Sequence, residues 1–249
     1  MTVAMTDAEL AAKLAFAAGR ILLDVRQCGL LDGKALGKAG DETANRFIVA
    51  ALRHLRPDDG LLSEESKDTP ERLSKSRVWI VDPVDGTREY GEGRADWAVH
   101  IALCIDGGAT AGAVALPGLN DVCRSDVPRP LAPAGSPLRM VVSRSRPAAE
   151  ALAVAKAIGA ELVPMGSAGA KAMAVVRGEA DIYLHSGGQH EWDSAAPVAV
   201  AAAHGLHCSR IDGSPLIYNQ RDTSMPDLLI CRKELAGDVL ARVRELAEG

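Results

Sequence analysis

Apolar residues recur at helical spacing near the start of the chain. Leu10, Leu14, Ala17, Ala18, Ile21 and Leu22 form one stripe, and Thr6 and Glu9 stand at capping-box spacing, which predicts a helix over 6–26. A loop rich in Gly and Lys follows. Ala44, Phe47, Ile48, Ala51, Leu52 and Leu55 then predict a second helix that starts at Asp41 and is stopped by Pro57. Beyond Pro57 the period changes. The run 78–81 suits a buried strand, 97–105 and 109–116 read as a hairpin across Asp106-Gly107-Gly108, and 119–124 is a candidate third strand. Pro128, Pro130, Pro133 and Pro137 crowd one short window and mark the expected boundary between an N-terminal α+β subdomain (1–127) and a C-terminal α/β subdomain (138–249), joined by 128–137. The second half alternates: strand 140–143, helix 147–158, helix 170–176, strand 180–185, an Ala-rich helix 194–204 closed by Gly205, strand 227–232 and a terminal helix from Leu235. Helices alternating with strands predict a layered α/β fold.

Composition narrows the function classes. Hydrophobic residues make up 47% and charged residues 24% of the 249 residues, ordinary values for a globular chain, but aromatic residues are only 3%, so Ala, Val and Leu must fill the interior. The formal charge of −5 and the lack of a basic stripe argue against a nucleic-acid polymer as partner, though not against a small nucleotide. Cys28, Cys104, Cys123, Cys208 and Cys231 are scattered singly, which suggests buried thiols in a reducing compartment and neither a disulfide framework nor a zinc site. The first twenty residues lack the basic start and apolar run of a signal peptide, and no apolar run is long enough to span a bilayer. A cytoplasmic protein is the expectation.

Three acidic clusters each abut an apolar segment. In Val78-Trp79-Ile80-Val81-Asp82-Pro83-Val84-Asp85-Gly86-Thr87 a strand runs into two carboxylates around a proline, which disfavours the helical region at Asp82. Gly86 permits a tight turn, after which Thr87 can offer its hydroxyl and N–H to an anion. Leu61-Leu62-Ser63-Glu64-Glu65-Ser66 is a second run ending in acids, and Glu191-Trp192-Asp193-Ser194 places Asp193 where it would cap a helix. Taken singly these are a turn, a solvated loop and an N-cap. Taken together, such a density of hard oxygen donors suits Mg²⁺ or Mn²⁺. No GxxxxGK[ST] loop is present, which argues against a P-loop enzyme.

The set Ser-Glu-Glu-Ser, Trp-Ile-Val-Asp-Pro-Val-Asp-Gly-Thr and Trp-Asp-Ser-Ala-Ala resembles the inositol monophosphatase superfamily of lithium-sensitive, Mg²⁺-dependent phosphatases. The resemblance runs over nearly the whole chain and implies an αβαβα sandwich (α/β, α+β sandwich). It also implies two or three Mg²⁺ ions, with Mn²⁺ able to substitute. Glu64, Asp82 and the carbonyl of Val84 would hold the first ion, and Asp82, Asp85 and Asp193 the second. Glu65 would support the metal ligands from behind. Asp41 would pair with Thr87 and face a third ion, with a plain N-cap as its other reading. Lys38 stands where the family shows Thr. Asp41, Glu64 and Thr87 would serve catalysis by handling a water, activated by the metals, that attacks phosphorus in line.

Within the superfamily, Arg88-Glu89-Tyr90, Glu191, Gly166-Ser167-Ala168-Gly169-Ala170-Lys171 and the run 212–219 resemble the 3′(2′),5′-bisphosphate nucleotidase branch of the CysQ type. That implies a small bisphosphonucleotide, 3′-phosphoadenosine 5′-phosphate, as substrate and AMP and phosphate as products. Inositol monophosphate or fructose bisphosphate hydrolysis, and a catalytically silent cation- or phosphate-binding module, stay open as alternatives. Gly86, Thr87, Arg88, Ser143, Arg144, Ser167, Lys171 and Glu191 are the expected substrate contacts. Among them Ser143, Arg144 and Lys171 would take the 5′-phosphate and Glu191 a sugar hydroxyl. Tyr90 and Trp192 are candidates to stack on adenine or simply to pack. A homodimer is compatible with the resemblance.

Overall fold

The computed structural model describes residues 5–248, and two five-stranded sheets organise it. Helix α1 (Asp7–Gln27) opens on the expected capping box: Glu9 N–H donates to Thr6 Oγ1 at 3.2 Å and Thr6 N–H to Glu9 Oε2 at 2.9 Å. Helix α2 (Gly33–Leu55) lies beside it. The first sheet follows, in the order β1 (Gly60–Ser63), β2 (Arg77–Asp85), β3 (Ala98–Ile105), β4 (Gly108–Leu116), β5 (Asp121–Arg124), with short helix α3 (Thr87–Gly91) between β2 and β3. β1 runs parallel to β2 and the other pairings are antiparallel. Asp106 and Gly107 make the β3–β4 turn with φ of 49° and 82°, the left-handed pair that a two-residue hairpin loop needs.

The second half supplies β6 (Arg139–Ser143), α4 (Ala149–Ile158), β7 (Glu161–Met165), α5 (Ala168–Val176), β8 (Ile182–His190), α6 (Glu191–Ala203), β9 (His207–Ser209), β10 (Ser224–Cys231) and α7 (Lys233–Glu248). Its sheet has the order β7-β6-β8-β10-β9. Helices α1 and α2 cover the outer face of the first sheet, α5 and α6 lie between the sheets, and α4 and α7 cover the outer face of the second. The layers are therefore αβαβα. Each interface has its own apolar cluster, and the central one draws on both halves, with Ile80, Val114, Met173, Val200 and Ile230 together. Alanine dominates the buried positions of α1, α5 and α6, so these helices sit close to the strands without large aromatic fillers.

The proline-rich segment joins β5 to β6. It is held from the side by Asp181, which is fully buried, accepts from the N–H of Gly135 (3.0 Å) and Arg139 (2.9 Å), and pairs with Arg232 Nε at 2.9 Å.

Helix α2 departs most from the sequence reading. It begins at Gly33, well ahead of Asp41, so the Gly/Lys-rich stretch is helical and Asp41 is an interior helix residue instead of an N-cap. Helix propensity disfavours glycine, but packing decides here. A Cβ on Gly37 would come 2.7 Å from Thr87 Cγ2, one on Gly40 2.7 Å from Tyr90 Cε1, and one on Gly91 2.4 Å from the Gly33 carbonyl oxygen. The bare backbone of α2 is the surface on which α3 rests. Smaller differences follow the same logic. β7 and β9 are additional short strands, β10 starts earlier across an irregularity at Pro226, and α6 starts at Glu191, which moves Asp193 from the cap into the first turn.

Gly40→Ala tests this packing. The buried Tyr90 ring cannot yield, because its hydroxyl donates to the Leu22 carbonyl at 2.8 Å. Although alanine favours the helix by about 1 kcal/mol, overpacking should outweigh it and lower stability by about 1–3 kcal/mol in urea unfolding of the metal-free chain. A more stable variant would refute the close α2–α3 contact.

Candidate active site

The strand β2 does not stop at Val81. Its pairing with β3 is regular as far as Asp82 opposite His100, then skips to Asp85 opposite Ala98, so Pro83 and Val84 bulge between two carboxylates. Asp82 is 1% exposed, and its Oδ1 accepts from Val84 N–H at 3.0 Å. Gly86 has φ 88° and turns the chain into α3. Thr87 opens that helix and donates its hydroxyl back to the Val84 carbonyl at 3.0 Å, leaving its lone pairs free to accept.

Parallel pairing carries the second acidic cluster alongside. Glu64 N–H donates to the Val81 carbonyl at 3.2 Å, which puts Glu64 beside Asp82. The loop is pinned from α2 by Asn45, a residue the sequence reading did not single out. Asn45 Nδ2 donates to the Glu65 carbonyl (3.0 Å) and Ser66 Oγ (3.1 Å), and Asn45 Oδ1 accepts from Ser63 Oγ (2.8 Å). The third cluster arrives on the first turn of α6, where Asp193 Oδ2 accepts from His190 N–H at 2.6 Å.

The outcome is convergence. Carboxylate oxygens of Asp82, Asp85 and Asp193 lie within 4.8 Å of one another. Asp41, on α2, is buried, and its Oδ1 has no hydrogen-bond partner in the protein. Four of these acids are held above their ordinary titration range. Burial first, then Glu65 and Glu64, pushes Asp41 up to about 7, against the opposing pull of the Thr87 hydroxyl. Glu64 keeps solvent access at the mouth, yet partial burial and then Asp193 push it up to about 7. Burial and Asp85 push Asp193 up to about 6, and Asp82 is raised well above the carboxylate range by burial and by its acidic neighbours. Asp85 is the exception. Burial opposes its charge, but His100 and the Ser167 hydroxyl outweigh that and hold it well below the usual range. Hard oxygen donors at this density, one of them orphaned and buried, fit a divalent cation in chemistry and in charge.

The expected substrate contacts divide into two groups. Thr87 and Arg88 line a cavity of about 670 Å³ together with Asp41 and Glu65. Its far wall is the unforeseen start of α2, with Lys34 and Lys38. Most of the others are already engaged by protein partners. Ser167 donates its hydroxyl to Asp85, and Ala168 and Gly169 donate their N–H groups to the same carboxylate at 3.1 and 2.6 Å. Lys171 is 5% exposed and donates to the carbonyls of Ser167 (2.5 Å) and Gly166 (3.4 Å). It therefore braces the loop that holds Asp85 and does not reach toward a 5′-phosphate. Glu191 is fully buried, with both oxygens taken by the N–H groups of Asn219 (2.8 Å) and Gln220 (2.6 Å), so no sugar hydroxyl can meet it. Arg144 is engaged by Glu89 and Glu92, each at 2.7 Å, and Ser143 Oγ accepts from Arg146 N–H. Tyr90 is buried edge-on to Trp97, and Trp192 stacks on His190, so each ring already has a packing partner. Residue type was legible in these cases; side-chain direction was not.

The raised acids set a stability trend for the metal-free chain. Asp41, Glu64 and Asp193 bind a proton more tightly folded than unfolded, so their contribution is fully present below about pH 4 and is lost as pH rises through about 6 to 7. In EDTA the melting temperature should fall between pH 5 and 7.5, and Mg²⁺ should raise it more at pH 7.5 than at pH 5. Differential scanning fluorimetry checks both trends, and a flat or inverted profile would contradict the crowding of these carboxylates.

Comparison with known proteins agrees with this geometry. The inositol monophosphatase family profile matches residues 5–248. The 3′-phosphoadenosine 5′-phosphate phosphatase of Mycobacterium leprae is 50% identical over 257 aligned positions, covering 97% of this chain and 95% of its own length. The 3′(2′),5′-bisphosphate nucleotidase CysQ of Escherichia coli K12 is 33% identical, covering 74% of this chain and 80% of its own. Among solved structures, CysQ from Bacteroides thetaiotaomicron superposes with a TM-score of 0.81 at 25% identity, covering 94% of this chain and 99% of that one. An inositol monophosphatase from Anabaena superposes with a TM-score of 0.78 at 20% identity, covering 95% and 94%, which is a likeness of fold. The acids drawn together from α2, β1, β2 and α6 are thus set in a framework shared by all of these proteins, and the chain belongs to the inositol monophosphatase family.

Proposed function

We propose that this chain is a Mg²⁺-dependent phosphomonoesterase that hydrolyses 3′-phosphoadenosine 5′-phosphate to AMP and phosphate. The convergence of Asp82, Asp85 and Asp193 carries the reaction class. Identity of 50% across 97% of the chain with an enzyme named for that substrate supports the choice of ester. Glu64, Asp82 and the Val84 carbonyl are read as holding one cation and Asp82, Asp85 and Asp193 a second. The unpartnered oxygen of Asp41 would face a third, and Mn²⁺ would be able to replace Mg²⁺. Divalent cations bound there supply positive charge to the phosphoryl oxygens and make a nearby water easier to deprotonate.

The chain's own residues do the rest. Thr87, fixed by its bond to the Val84 carbonyl, accepts one hydrogen from the attacking water, whose other hydrogen lies toward the acids Asp41 and Glu64. Glu64 and Asp41 are the carboxylates placed to remove the proton. Ser167 and the N–H groups of Ala168 and Gly169 keep Asp85 ionised and oriented. Arg88, Lys34 and Lys38 give the adjoining cavity its positive groups for the phosphate that stays on the nucleotide. No side-chain nucleophile is required. Burial pushes the thiols of Cys123 and Cys208 up to about 11 and about 12, leaving them protonated at neutral pH.

Phosphate release from a panel of the bisphosphonucleotide, inositol monophosphate and fructose bisphosphate, with and without Mg²⁺, tests the proposal. The nucleotide should be hydrolysed fastest and only with metal. Faster turnover of inositol monophosphate would overturn the substrate, and metal-independent turnover would overturn the mechanism. Asp85→Asn should fold, by circular dichroism, and lose activity by about 100-fold or more. Wild-type kcat in that variant would remove Asp85 from the site.

A further inference from the structure

His100 sits mid-strand on β3, fully buried, opposite Asp82 in the β2–β3 register. A buried imidazole is most simply a core residue whose two nitrogens happen to find partners. The partners here are not incidental. Nδ1 lies 3.0 Å from the carbonyl oxygen of Trp192, the residue that immediately precedes Asp193. Nε2 lies 3.2 Å from Asp85 Oδ2, an ion-pair contact off the line of a straight hydrogen bond. One ring therefore touches both segments that bring carboxylates to the site from opposite halves of the chain. The Trp192 carbonyl can only accept, so Nδ1 meets it as an N–H donor, and Nε2 faces the Asp85 carboxylate.

The surrounding backbone is shaped to admit that ring. Gly169, in the first turn of α5, approaches so closely that a Cβ there would fall 2.0 Å from His100 Nε2. The same glycine donates its N–H to Asp85 at 2.6 Å. A side chain at position 169 would push the imidazole away from Asp85 and Asp85 away from its main-chain donors. Leucine or valine would fill a core strand without any of this.

We infer that His100 is a positioning residue that spans Asp85 and the Trp192–Asp193 turn, fixing the separation at which Asp85 and Asp193 close on one divalent cation. The inference rests on the metal-site reading above. Its role is exerted through Asp85 and Asp193, without contact with substrate. Because the ring lies between an element of the first sheet and the start of α6, it sets a distance that neither sheet alone defines.

Mn²⁺ binding to the full chain, followed by electron paramagnetic resonance, separates the two ideas. Wild type that binds no Mn²⁺ would overturn the metal site itself. If wild type binds, His100→Leu should weaken binding at least about tenfold, and the Mn²⁺-induced rise in melting temperature should shrink. The metal-free melting temperature reports the core role alone. His100→Gln, which can donate to Asp85 or to the Trp192 carbonyl but cannot span them, should recover part of the affinity. Wild-type Mn²⁺ affinity in folded His100→Leu would overturn the inference. If the leucine chain does not fold, wild-type affinity in folded His100→Gln overturns it equally.

Discussion

Like charges gathered in a place with little water repel one another, and the rest of this molecule is arranged around that fact. Asp82 is almost wholly buried with Glu64, Asp85, Asp193 and Asp41 around it. Left alone, such a group relieves the strain by keeping protons, and Asp41, Glu64 and Asp193 do so near neutral pH. A divalent cation relieves it better. The framework must hold the acids together while that cation is absent, so three of the carboxylates have anchoring partners of their own and the Glu64 loop is pinned through its backbone: Asp82 by Val84, Asp193 by His190, Asp85 by Ser167, Ala168 and Gly169, and the Glu64 loop by Asn45.

Glycines make those anchors geometrically accessible. Gly37 lets α2 lie against Thr87, Gly166 leaves no room for a Cβ beside Glu89, and Gly169 does the same beside His100. In each case a backbone without a side chain meets a functional or bracing group at van der Waals range. The small-residue composition of α5 and α6 serves the same end on a larger scale, drawing the two sheets close enough for β2 and α6 to share one site.

Much of this was legible from the sequence, and the reasons are physical. Alternation of helical and strand periods predicts layered α/β packing, and the family resemblance implies the αβαβα order. The run Asp82-Pro83-Val84-Asp85-Gly86-Thr87 reads equally as a turn by itself, and only the company of the Glu64 and Asp193 clusters turns its donor chemistry toward a cation. The start of α2 was hidden because local preference opposed a helix at Gly33, Gly37 and Gly40, and only contact with Thr87, Tyr90 and Gly91 overrides it. Lys171 and Glu191 stand out in the sequence by type, but their partners in the folded chain do not. A sequence does not show that Lys171 points back at its own loop or that Glu191 closes on Asn219 and Gln220. His100 was invisible for a simpler reason: one polar residue in an apolar strand carries no pattern.

The distribution of these acids along the chain also bears on how the protein is made. Asp41, Glu64, Asp82 and Asp85 are synthesised well before Asp193, and the Gly166–Lys171 loop and α6 come later still than the first sheet. A nascent chain that has completed β5 already carries most of the negative charge of the site but lacks the turn that closes it. High affinity for a cation can therefore arise only once α6 has docked between the sheets, so on the proposed reading metal capture would depend on both halves of the chain having assembled.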